Sequence, residues 1–260
     1  MVNNNSINNI IVYFPWGAGG NFIQNVLSLA PGYQMLSYTG DDVENKVEFI
    51  KEYYSQDVTP ATWLRREWST RVYFGNRYCN GESPAYWNPE CSLVYTTHGE
   101  NRMMNVLNAD TKLKHWDRYN VKLGNIPEQL CHISTHDFCH VFMIPDNIEQ
   151  TTKVYHSKNP DLAQLNKDNE DDYVKFYEAL TFNIRQCINL YKLRKALVEN
   201  GKHVVNISPD RLLTDEGYLA IIELTNNLHL TIDVDIIKQL HELWLTATRK
   251  CYTAFHKKNL

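Results

Sequence analysis

Pro15-Trp16-Gly17-Ala18-Gly19-Gly20-Asn21-Phe22 is a glycine-rich turn, set between the apolar run Ile10–Phe14 and the apolar-periodic stretch Phe22–Leu29. A strand that passes through such a turn into a helix presents backbone N–H groups to an anion, and the glycines let the chain approach it closely. Gly17, Ala18, Gly19, Gly20, Asn21 and Phe22 are therefore candidates for holding phosphate or sulfate. A Walker A loop would carry Lys-Ser or Lys-Thr after its last glycine, to reach the outer phosphates and hold magnesium. Asn21-Phe22 stands there instead, which argues against a magnesium-dependent ATPase or GTPase. The competing reading is a tight strand-to-helix turn that binds nothing.

A second concentration of chemistry is Cys131, His132, His136, Cys139 and His140. Zinc takes cysteine and histidine in tetrahedral sets. Alternation along a strand, however, sends Cys131 and His132 to opposite faces, and no CxxC or HxxxH spacing frames the group, so no metal is expected. The six cysteines lack paired spacing and read as reduced thiols rather than a disulfide framework. Arg65, Arg66 and Arg71, and the group Arg249, Lys250, His256, Lys257 and Lys258 near the C-terminus, read as solvated faces that could lend charge to a site formed elsewhere.

The elements that must position these residues follow from hydrophobic period. Asp41–Tyr54 suits a surface helix. Around 59–90, seven Trp, Tyr and Phe residues from Trp63 to Trp87 mix with Pro84, Pro89 and glycines, which reads as an irregular aromatic-rich insertion. Ser92–Thr96, Leu130–Ser134 and His140–Ile144 are short and β-branched or aromatic in part, as buried parallel strands are. A polar loop is expected around 158–172. Tyr173–Asn200 is a long helix ending at Gly201, His203–Ile207 a strand, and Leu219–Asn227 and Val234–Phe255 the closing helices. This order gives an α/β fold, a mainly parallel central sheet flanked by helices, whose ligands sit at the carboxyl ends of the strands.

At 260 residues and 43% hydrophobic composition the chain suits one domain spanning residues 1–260. A net charge of −4 without a long basic run argues against nucleic acid as partner. The first residues carry no basic leader and no apolar run reaches bilayer length. The expectation is a cytoplasmic protein with no membrane partner.

Taken together, these pieces resemble the sulfotransferase family, a P-loop-related α/β fold that uses phosphoadenosine phosphosulfate as sulfuryl donor. Three segments carry the resemblance. Pro15–Ile23 is similar to the family's 5′-phosphosulfate loop; Val141–His156 is similar to the strand and helix start of its 3′-phosphate site; and Val204–Ile207 with Pro209-Asp210-Arg211-Leu212-Leu213 resembles the turn that closes its sheet. The family's loop lysine falls here on Trp16 or Ala18, its 3′-phosphate arginine on Pro145 and its serine on Lys153. The resemblance implies a phosphate contact from Thr151, Thr152 and Lys153, because a helix start with hydroxyls and a cation suits that anion.

It also implies a sulfuryl transfer to a hydroxyl or amine of a small molecule or glycan, without a metal. The acceptor's proton needs a base, and histidine suits the task. His98 and His136 both stand just after a predicted strand and both resemble the family's Lys-Thr-His element without its lysine; His136 is the favoured base, because Asp137 or a neighbouring carboxylate could hold its imidazole. Two other readings compete: a non-catalytic anion- or nucleotide-binding module of the same fold, and a kinase of related fold, which lacks the loop lysine and Ser or Thr it would need.

Overall fold

In the computed structural model the described residues are 9–34, 43–55, 92–97, 138–158 and 170–258. They form five strands: β1 (Asn9–Tyr13), β2 (Tyr33–Gln34), β3 (Ser92–Thr97), β4 (Phe138–Phe142) and β5 (Val204–Asn206). The helices are α1 (Gly20–Leu27), α2 (Val43–Ser55), α3 (Ile148–Lys158), α4 (Glu170–Glu199), α5 (Pro209–Leu212), α6 (Gly217–Asn227) and α7 (Val234–Lys258). The expected strand Leu130–Ser134 and the aromatic insertion at 59–90 lie outside the described residues.

The strands join one sheet in the order β2-β3-β1-β4-β5, and every pairing is parallel. β1 is its centre, with Tyr13 level with Thr97 of β3 on one side and Phe142 of β4 on the other. Its residues Ile10–Tyr13 are all buried, which is why the segment is a continuous apolar run rather than an alternating one. Period two still sorts the side chains. Ile10, Val12, Cys139, Val141 and Val205 join one core with α1, α2, α6 and α7, in which Trp244 is the largest fully buried side chain. Tyr13, His140 and Phe142 stack on the opposite face, where Arg194 of α4 donates to Asn206 Oδ1 of β5 at 2.6 Å. Helices thus flank the sheet, and the fold is α/β.

Several boundaries differ from the sequence reading. α1 opens at Gly20 rather than Phe22, because Gly19 in the left-handed region (φ 83) acts as its cap and the chain is helical from the next residue. β4 starts at Phe138, two residues before the expected His140, since Phe138 already pairs with Asn9 of β1. Of the polar loop expected around 158–172, Lys158 ends α3 and Glu170–Asp172 open α4, while 159–169 lie outside the described residues. Gly201 ends α4 as expected, with φ 67 and the N–H of Lys202 donating to Leu197 O at 3.0 Å.

Candidate functional site at the carboxyl edge of the sheet

From β1 the chain crosses to one edge of the sheet, and from β4 to the other. Between neighbouring strands whose connections leave in opposite directions lies the switch point, the crevice where open α/β sheets hold ligands. The glycine-rich turn follows β1 and the start of α3 follows β4, so both flank that crevice.

The turn is tight. Ala18 N–H donates to Pro15 O at 3.2 Å, and Gly19 O accepts from Phe22 and Ile23 at 3.0 and 3.2 Å, closing the first turn of α1. Gly17 and Gly19 both have positive φ, 88 and 83. Gly17 has a second reason to be glycine: a Cβ there would strike Thr151 O and lie 2.9 Å from Tyr155 N, because α3 rests directly on it. The N–H groups of Gly17, Gly19, Gly20 and Asn21 meet no acceptor among the described residues. Asn21, at the second position of α1, is buried, and its side-chain Oδ1 is unpartnered among the same residues.

Trp16 is clamped from two helices. Its ring stacks on Tyr155 of α3 at 4.8 Å and lies 4.2 Å from Phe182 of α4. Its N–H donates to Gln186 Oε1 at 3.2 Å, and its carbonyl accepts from Asn183 Nδ2 at 3.1 Å. The same Asn183 amide donates to Thr152 Oγ1 at 2.9 Å. Asn183 therefore ties the turn, α3 and α4 together at one fully buried point.

The turn carries no cation of its own, but Lys158 of α3 lies over the tryptophan that packs against Gly19. Residues 151, 155 and 158 share one face of α3 at helical spacing, and the first two touch Gly17. The third, Lys158, is 6% exposed and holds Nζ 5.4 Å from the ring centre of Trp244. Trp244, from α7, stacks on Phe22 at 4.8 Å, and its ring edge comes 2.9 Å from where a Cβ on Gly19 would sit. Sequence reasoning missed Lys158. Its only local signal was a lysine one turn beyond Tyr155, and the contact that matters runs through a tryptophan far along the chain.

The second expected anion contact is arranged differently. α3 begins at Ile148, so Thr151, Thr152 and Lys153 lie within its first turn and a half. Thr151 donates its hydroxyl to Asn147 O at 3.2 Å and Thr152 to Ile148 O at 2.8 Å, and both are buried. Lys153 pairs with Glu149, a contact that holds the Glu149 carboxyl below its usual range. The backbone donors ahead of α3 are met by protein: Asp210 Oδ2 accepts from Asp146 N–H at 2.6 Å and from Asn147 N–H at 3.3 Å, while Asn147 Oδ1 caps Gln150 N–H at 2.9 Å. A carboxylate from α5 thus sits where a phosphate would meet this helix start.

His98 and His136 lie outside the described residues, as do Cys131 and His132. Cys139 and His140, the rest of that cluster, are neighbours on β4 and face opposite ways. Cys139 Sγ contacts His203 Nδ1 at 3.2 Å, whereas His140 Nδ1 meets Tyr13 OH at 3.0 Å on the other face. Burial raises the Tyr13 phenol well above its ordinary value. Among the described residues no three His, Cys, Asp or Glu side chains converge as a metal site would need. None of their helices is long and apolar enough to cross a membrane.

Compared with known proteins, the chain matches no family model, no curated protein and no solved structure.

Proposed function

We propose that the protein is a sulfotransferase-like enzyme of P-loop-related architecture that binds the 5′-phosphosulfate end of phosphoadenosine phosphosulfate in the turn Gly17–Phe22. The observation that carries this reading is the set of unengaged N–H groups at Gly17, Gly19, Gly20 and Asn21, gathered at the N-terminus of α1 and at the switch point of a parallel sheet. Lys158 supplies the positive charge that the turn lacks, held in place by the Trp244 face. The missing Lys-Ser or Lys-Thr pair favours sulfuryl over magnesium-assisted phosphoryl transfer. In the step itself an acceptor oxygen or nitrogen bonds to sulfur, the sulfur–oxygen bond to the nucleotide phosphate breaks, adenosine 3′,5′-bisphosphate leaves, and a histidine takes the acceptor's proton.

Of the two candidate histidines, His98 follows Thr97, which is level with Tyr13 at the carboxyl edge where the turn begins. His136 precedes Phe138, which is level with Asn9 at the opposite edge. Connectivity along the sheet therefore supports His98 as the base, in place of the His136 that the neighbouring Asp137 favoured in the sequence. A second reading, a module that binds the anion without turnover, draws support from Trp16, which packs against Tyr155 and Phe182 and leaves the turn little freedom to adjust.

A thermal-shift titration separates these readings. Adenosine 3′,5′-bisphosphate at a hundred times its dissociation constant would stabilise the native state by about 2.7 kcal/mol, or roughly 5–10 °C. ATP with magnesium would give a much smaller shift, and Lys158→Met would weaken the bisphosphate response. Stabilisation by bisphosphate without transfer from the phosphosulfate to any acceptor supports the module. No stabilisation by bisphosphate overturns both readings.

A further inference from the structure

The outward face of α4 carries a heptad stripe that none of the described helices covers. Val174, Tyr177, Ile184, Ile188, Tyr191 and Val198 recur at alternating three- and four-residue steps and are all exposed, Ile188 by 49% and Tyr191 by 60%. Thr181 and Lys195 complete the spacing. The inner face of the same helix, with Ala179, Asn183, Cys187, Leu190, Leu193 and Leu197, is the one buried in the fold. A surface helix needs one apolar stripe; α4 has two, and the outer one follows the period of a coiled-coil seam.

We propose that this stripe is the interface of a two-fold dimer, in which α4 of one chain packs antiparallel on α4 of a second copy. The geometry of the stripe names its own occupant. Along Val174, Tyr177, Glu178, Thr181, Phe182 and Arg185 the surface forms a groove of about 540 Å³, while nearly two turns further on Tyr191 projects as the most exposed large apolar side chain among the described residues. Knob and hole on one helix are what an isologous contact requires.

An antiparallel register centred near Gln186 places Ile184 against Ile188, Thr181 against Tyr191, Tyr177 against Lys195 and Val174 against Val198 of the second copy. Tyr191 then enters the groove, and the Lys195 stem covers a tyrosine face. A parallel pair would instead set Lys195 on Lys195, a like-charge layer in the seam. The rim fits less evenly: Glu178 comes level with Lys192 of the second copy, whereas Arg185 approaches its own counterpart. The exposed parts of the six apolar side chains amount to roughly 500 Å² per chain, so about 1,000 Å² across the pair, the lower end of specific interfaces. The inference does not depend on the enzymatic reading, although Phe182 at the edge of the groove also packs on Trp16 of the turn.

Sedimentation velocity across a concentration series tests it. Wild type is expected to move from the 30.4 kDa monomer to a species of twice that mass. Ile184→Glu and Ile188→Glu each place two carboxylates in the central layers and should raise the dimer dissociation constant by at least about 100-fold, with the circular dichroism of the monomer unchanged. Arg185→Gln should tighten the dimer, which a merely structural role for that exposed side chain would not produce. For orientation, an equimolar mixture of Thr181→Cys and Tyr191→Cys chains should cross-link under mild oxidation well above either variant alone and above wild type. A wild type that stays monomeric at high concentration, or a dimer indifferent to both glutamates, overturns the proposal. Cross-linking of each cysteine variant with itself but not in the mixture overturns the antiparallel register.

Discussion

Three glycines with different surroundings allow the contact between the turn and α3 to be weighed within one protein. Gly201 has φ 67 and open space where a Cβ would be, so Gly201→Ala introduces left-handed strain alone, about 1–2 kcal/mol. Gly20 is helical and has ordinary φ, but its Cβ would fall inside the ring of the buried Phe14. Gly20→Ala therefore introduces overpacking alone, about 1–3 kcal/mol, reduced by the better helix propensity of alanine. Gly17 meets both conditions: φ is 88, and the Cβ would strike the Thr151 carbonyl and crowd the Tyr155 N–H, backbone atoms that move only if α3 moves. Gly17→Ala should thus cost about 2–5 kcal/mol, a large part of an ordinary domain's 5–15 kcal/mol. At the expected sensitivity of a chain this size that lowers Tm by roughly 10 °C, against roughly 4 °C for Gly201→Ala. Differential scanning calorimetry and urea denaturation of the three variants would measure it. Equal losses at Gly17 and Gly201 would show that α3 does not rest on the turn, and the site geometry would fall with it.

Two further perturbations probe the same neighbourhood. His156 of α3 is fully buried, its ring nitrogens have no hydrogen-bond partner among the described residues, and burial pulls its pKa from 6.5 down to about 4. The unfolded chain takes up this proton first, so the stabilisation is complete above pH 6.5, is lost as pH falls towards 4, and is on the order of 3 kcal/mol. His241 is also lowered, chiefly by burial, and adds loss of the same sign. His156→Phe should shrink the fall in urea midpoint between pH 7 and pH 4.5; an undiminished fall would refute the assignment. Asn183→Leu removes the amide that donates to both Trp16 O and Thr152 Oγ1 and should destabilise by about 2–3 kcal/mol in chemical denaturation. A loss below about 0.5 kcal/mol would mean that the ring contacts and the Gln186 hydrogen bond hold the Trp16 clamp without Asn183.

Much of this architecture was legible in the chain. Ile10–Phe14 announced a central strand because five apolar residues in a row suit a strand buried on both faces, and Gly201 announced a helix end because only glycine accepts φ 67 there without strain. What the sequence hid was contact at a distance. Thr151, Thr152 and Lys153 read as a phosphate contact, yet their hydroxyls turn back on the helix and Lys153 pairs with Glu149, while Asp210 reaches the donors ahead of them from a segment more than fifty residues on. Lys158 gains its place by lying over Trp244, and no spacing rule links residues in different layers. Glu170–Asp172 read as the end of a polar stretch rich in Asn and Asp, whereas α4 already begins at Glu170.

The position of β1 in the sheet also sets the order in which the protein can assemble. Asn9–Tyr13 is made before both of its neighbours, Ser92–Thr97 and Phe138–Phe142. At ribosomal speeds of about 5–20 residues per second, β1 waits roughly 6–25 s before its second edge is covered. During that interval the backbone donors and acceptors of Ile10–Tyr13 are open on the side that β4 will close. The strand that leads into the glycine-rich turn is thus made before either strand that flanks it, and its β4 side closes after its β3 side can.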